Sequence, residues 1–136
     1  MAYINIKEKK ENKIMKMKNF EIYEIANALA AAFTDNTQYL PIKINFFIQK
    51  NKTTMFALAH DIEQARMSII ENYGTKTEDG NQYIVPQEKI EIASKELDDL
   101  FNIEQDVDIR KISIDSFPDD ISLTTGQMEA LMFMID

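Results

Sequence analysis

The sequence predicts an α+β chain built on one long central helix, with two or three shorter helices packed with a small, mainly antiparallel sheet. Three observations carry that reading. Positions that are apolar except for Asn51 recur at alternating spacings of four and three from Ile44 to Ile69. Period-2 alternation marks short segments at Met15–Met17 and Val107–Ile109. Turn-forming residues separate the two kinds of segment, as they do where helices and strands alternate.

The elements follow in order. Residues 7–13 contain no apolar side chain, so residues 1–13 read as a flexible basic segment and 14–136 as a single α+β domain. Met15 and Met17 alternate with lysines, the sign of a short half-buried strand. From Asn19 to Phe33 the spacing of Ile22, Ile25, Ala26, Leu29 and Phe33 becomes helical, with Asn19 as a candidate N-cap. Thr34 to Thr37 should be a loop.

The long helix is expected from about Ile42 to Asn72, roughly 45 Å at 1.5 Å per residue. Its seam is Ile44, Ile48, Asn51, Met55, Leu58, Ile62, Ala65 and Ile69. This is the 3.5-residue period of packed helices. Pro41 suits the first turn, and Gly74 suits a left-handed stop. Asn51 on the seam, followed by Thr53 and Thr54, marks a place where the helix could kink or end. One 15-residue neighbour cannot cover such a helix. Further elements of the chain, or a second chain, must cover the remainder.

Asp79-Gly80 signals a tight hairpin turn, followed by a short strand at Tyr83-Ile84-Val85 that Pro86 ends. Residues 87–101 form an amphipathic helix with Ile90, Ala93, Leu97, Leu100 and Phe101 on one face. Val107, Ile109, Ile112 and Ile114 give a strand whose alternation slips at Arg110-Lys111, as a bulge would cause. Thr124 and Gln127 are spaced as a capping box, with Leu123 and Met128 as its hydrophobic staple. The helix from Met128 to Ile135 is apolar on nearly every side and needs burial in its own domain or against a partner.

Composition narrows the chemistry. Apolar residues make 45% and charged residues 28% of the 136, which are globular values. The chain has no Cys, so disulfides, thiolate nucleophiles and zinc–cysteine sites are excluded. The net charge of −8 is uneven: residues 1–18 hold six Lys and two Glu, a net +4, leaving −12 for the rest. Such a body repels nucleic-acid backbone, so nucleic acid is an expected partner only of the basic N-terminal segment. No run of about 18 apolar residues exists, and the N-terminus lacks the order of a secretory signal. No membrane is expected, and the chain reads as cytoplasmic at synthesis.

His60 is the one histidine and stands three residues before Glu63 on one helical face. A metal site needs three or four such ligands. Asp106 and Asp108 alternate with Val107 and Ile109 and read as the solvent face of a strand. Three glycines in the chain leave little material for a phosphate loop, and no serine stands in a nucleophile elbow. The chain is expected to be no enzyme, with no cofactor or metal. Binding is expected at the seam and terminal residues Ile44, Ile48, Met55, Leu58, Met128, Met132, Phe133 and Met134, because thioethers adapt to varied partners.

Met17-Lys18-Asn19 opens the first helix, and Leu40-Pro41-Ile42-Lys43 opens the long one. Tyr73-Gly74 is followed by Glu78-Asp79-Gly80-Asn81, and Leu100-Phe101-Asn102 precedes the Val107–Ile114 segment. Leu123-Thr124 leads into Met128-Glu129-Ala130-Leu131-Met132-Phe133-Met134-Ile135. In these segments, from Ile14 to Asp136, the chain resembles a family of small tailed-bacteriophage proteins catalogued as a domain of unknown function. The Lys-rich start departs from that pattern. The resemblance implies phage origin and no catalytic residue. The expected function is a phage accessory protein that acts through protein–protein contacts in particle assembly or as a minor virion component. Its partner would be a phage structural protein, a second copy or a host protein. The alternatives are an acidic inhibitor of a host nucleic-acid-binding or defence protein and, more remotely, a carboxylate-only metal enzyme.

Overall fold

The computed structural model describes residues 12–33 and 40–136. Of the predicted flexible segment, residues 1–11 lie outside the described residues, as does the predicted loop at 34–37. Asn12 and Lys13 already belong to a strand. In chain order the elements are β1 (Asn12–Lys18), α1 (Asn19–Ala32), α2 (Ile42–Tyr73), β2 (Thr75–Lys76), β3 (Tyr83–Ile84), α3 (Gln87–Phe101), β4 (Glu104–Arg110) and α4 (Thr125–Leu131). Short 3₁₀ turns cover Ile114–Ser116 and Met132–Met134. The fold is α+β, with α2 as its longest element.

β1 and β4 pair antiparallel, Asn12 opposite Arg110 and Lys18 opposite Glu104. Because side chains alternate across a strand, Met17, Val107 and Ile109 are buried while Lys16, Asp106 and Asp108 face water. Lys16 and Asp106 face each other at 3.7 Å across the outer side. The core joins this sheet to α1, through Ile22, Ala26 and Leu29, to α2, through Ile44 to Ile62, and to Leu131 and Met134.

α2 runs unbroken for 32 residues, roughly 48 Å. The expected weak point at Asn51 is instead an anchor. Its side-chain amide accepts from Arg110 N–H at 2.9 Å and donates to Arg110 C=O at 3.0 Å. The amide thus plays the part of a neighbouring peptide at the end of β4. Thr53 returns its hydroxyl to the Gln49 carbonyl at 3.0 Å without ending the helix.

Other expectations need correction. Asn19 is the first residue inside α1, not its cap. It is buried, donates to Leu100 C=O at 2.9 Å and accepts from Gln105 at 2.6 Å. The first-turn Glu21 carboxylate accepts from Lys18 N–H instead. Gly74 is extended, with φ −98°, not left-handed. It is glycine because a Cβ there would stand 2.6 Å from the Ile70 carbonyl oxygen. β4 ends at Arg110 without a bulge. Ile112 leaves the β1 ladder and bonds the chain's last residues, with its N–H to Met134 C=O at 2.8 Å and its C=O from Asp136 N–H at 2.8 Å.

The C-terminal cap matches its sequence signature. Thr124 Oγ accepts from Gln127 N–H, and the Gln127 side chain accepts from Thr124 N–H. Gln127 also donates to the Ala32 carbonyl at 3.1 Å, closing the end of α1. The expected helix to Ile135 stops at Leu131 and tightens into the 3₁₀ turn, which aims Met134 inward and Met132 outward.

Candidate interaction surface

The eight expected binding residues do not form one surface. Ile44, Ile48, Met55 and Met134 are fully buried in the chain's own core, so none of them is available to a partner in this fold. The intramolecular elements α1, β4 and the C-terminus reach them first. Leu58 and Phe133 are half-buried against the margin of that core, and Met128 is half-buried as well. Met132 alone stands out in water, 61% exposed.

The opposite side of α2 carries what periodicity did not flag. Ile42, Phe46, Gln49, Thr53, Phe56 and His60 repeat the 4-and-3 spacing of the seam, half a turn away from it. They are exposed, Ile42 by 82%, Phe46 by 51% and Phe56 by 37%. From Ile42 to His60 the chain holds three Lys and no Asp or Glu. Lys50 Nζ lies 5.4 Å from the Phe46 ring centroid and Lys52 Nζ 5.6 Å from that of Phe56, both within cation–π range. From Asp61 to Tyr73 the balance reverses to three acids and one Arg. One helix is therefore basic and aromatic on its first half and acidic on its second. The acid-free run is legible in the sequence, although the apolar period of the buried seam does not mark it.

Beside this stripe, α1 and α2 enclose a shallow groove of about 350 Å³ lined by Tyr23, Asn27, Ala30, Phe56, His60 and Glu63. His60 and Glu63 thus share a face as their spacing implies. Glu63 is already committed. Arg66 grips it with two donors at 2.9 and 2.6 Å, and Tyr23 donates to it at 2.9 Å. The Arg66 guanidinium, with help from Tyr23, pulls the Glu63 carboxyl down from 4.5 to about 2. The same bond to Glu63, with burial second, pushes the Tyr23 hydroxyl above 10. A carboxylate held this way is a poor proton acceptor near neutrality, so the groove offers a shaped wall more than an acid–base centre.

α3 runs back along the second half of α2: Tyr73 donates to Glu96 at 2.9 Å, and Phe101 meets Tyr23 edge-on at 5.7 Å. Its outward face carries Glu88, Glu91, Lys95, Asp98 and Asp99 around Ile92, which is 54% exposed. Lys95 pairs with Asp99 at 3.2 Å.

Among the described residues no group of three or more His, Asp or Glu is placed to hold a metal ion, and no helix is long and apolar enough to cross a membrane. No family model, curated protein or solved structure matches the chain.

Proposed function

We propose that this chain is a non-enzymatic phage accessory protein that acts through protein–protein contacts in particle assembly or as a minor virion component. The phage setting rests on the resemblance described above. The contact role rests on one observation: the outward stripe of α2, along which Ile42, Phe46 and Phe56 are exposed. Exposed large apolar side chains gathered on one element, with aromatics at their centre, are typical of contact surfaces. The test is mass spectrometry of purified particles and assembly intermediates, with cross-linking to the phage structural proteins. The expected result is this chain in one of those fractions, joined through residues 42–60 to a second copy of itself or to a structural protein. Its absence from both fractions would overturn the reading.

The acid-bearing face of α3 favours a second reading, an inhibitor that occupies a basic cleft of a host nucleic-acid-binding or defence protein. Capture of a host nuclease or polymerase in preference to every phage protein, weakened by salt, would establish it in place of the first.

A further inference from the structure

The stripe of α2 and the outward face of α3 carry opposite net charge around exposed apolar side chains. Along Ile42–His60 the outward surface offers exposed Lys50 beside Phe46, and half-buried Lys52, whose ammonium also donates to the Phe33 carbonyl, beside Phe56. The outward surface of α3 offers Glu88, Glu91, Asp98 and Asp99 around Ile92, four acids against the two lysines Lys89 and Lys95, the second of which is paired with Asp99. The lengths also agree, about 28 Å of helix on one side and about 22 Å on the other. Within one molecule the two faces cannot meet, because α3 already packs on the distal half of α2, where Tyr73 donates to Glu96.

We infer that the occupant of the α2 stripe is a second copy of this chain, bound through the outward face of its α3. Charge complementarity makes the choice of partner. This molecule carries both signs on two separate, exposed helix faces, each with an apolar centre. A contact between two different patches is heterologous, so it leaves one free patch of each kind and propagates into a ring or a filament. One helix pair buries on the order of 1,000 Å², at the weak end of specific interfaces. The association is therefore micromolar and salt-sensitive, and a repeated array supplies its strength. This inference deepens the assembly reading above and rests on it for its setting, but its test needs only the purified chain.

The experiment is sedimentation velocity on the full chain in rising salt, together with two double variants. One, Phe46→Glu with Lys50→Glu, destroys the α2 face. The other, Glu91→Lys with Ile92→Lys, destroys the α3 face. All four positions are exposed, and thermal unfolding followed by circular dichroism confirms that both variants fold. The wild type should form species that grow with protein concentration. Those species should weaken roughly tenfold or more as salt rises from about 20 to about 500 mM, where the Debye length shrinks to about 4 Å. Each variant alone should be a monomer. Mixed one to one, the two should give a heterodimer that grows no further, since each keeps one intact face.

A wild type that stays monomeric at every concentration, or a mixture that gives no heterodimer, overturns the inference. Tight binding of a labelled single-stranded oligonucleotide of about 20 nucleotides by a monomeric wild type, lost in the α2 variant, would also overturn it and make the stripe a nucleic-acid surface. A monomeric chain that is nevertheless found in particles would sink this inference and leave the assembly reading intact.

Discussion

Met132 and Met134 stand two residues apart in one apolar segment, yet the 3₁₀ turn gives them opposite surroundings. Met134 is wholly buried against Asn51, whose amide donates to its sulfur at 3.3 Å, whereas Met132 is in water. Replacing Met134 by Ala should cost about 3 kcal/mol, a transfer loss plus a cavity, and replacing Met132 by Ala no more than about 0.5 kcal/mol. Urea unfolding reads both, and equal losses would show that the turn does not hold. Glu63 gives a second residue-scale expectation. Its carboxyl is depressed from 4.5 to about 2, so the stability that it adds is present above pH 4.5 and drains away as pH falls toward 2. Glu63 and Arg66 are each about one-third exposed, and water screens the pair, so the contribution is on the order of 1 kcal/mol. The stability gap between wild type and Glu63→Gln should therefore close across that window. The same substitution should bring the Tyr23 hydroxyl back down toward 10, which ultraviolet titration detects.

Elements were legible where a side-chain period lasted long enough to imply a face. The seam of α2, the range of α3, the alternation of β1 and the capping box of α4 all match the structure on that ground. Termini were less legible, because a local pattern does not record which distant group takes over a backbone bond. Asn51 reads as a helix breaker until Arg110 is seen to need its amide, and Ile112 reads as strand until Met134 and Asp136 are seen to bond it. Gly74 likewise looks like a left-handed stop, while close approach to the Ile70 carbonyl is what excludes a side chain. Gly80, with φ +73° and open space around it, is the glycine required by conformation. Gly80→Ala should cost about 1 kcal/mol from φ alone, and Gly74→Ala about 2 kcal/mol because backbone must shift, a ranking that thermal melts decide. α2 is also unequal along its length. Its last fully buried residue is Ile62, and beyond it only half-buried side chains meet α3. Hydrogen exchange should show amides of residues 65–73 and of α3 opening before those of residues 44–62. Uniform protection along α2 would mean that its distal end, with α3, is held as firmly as the core.

At the scale of the molecule, the first described strand and the last residues clasp the same structure. β1 crosses the sheet to β4, Lys13 reaches Asp136 at 2.8 Å, and Lys111 donates to Phe133 C=O at 2.7 Å. Ile112 is tied to Met134 and Asp136 by two backbone bonds, and Asn51 touches both Arg110 and Met134. The segment from Met132 to Asp136 is thus a keystone where the sheet, α2 and the C-terminus meet, although it is only five residues long. Removing it deletes a buried Met, leaves the Ile112 N–H and C=O without partners, and uncovers Leu131. These losses together approach the whole stability of an ordinary domain, about 5 to 15 kcal/mol. The helices, whose bonds are local, survive such a loss better than the sheet, whose two strands are joined across some ninety residues of chain. A chain ending at Leu131 should therefore keep most of its far-ultraviolet helical signal. It should lose near-ultraviolet signal from its tyrosines and bind a hydrophobic dye, the signature of a collapsed state without fixed packing. A truncated chain that still melts cooperatively, within about 5 °C of the full one, would show that the core closes without the keystone.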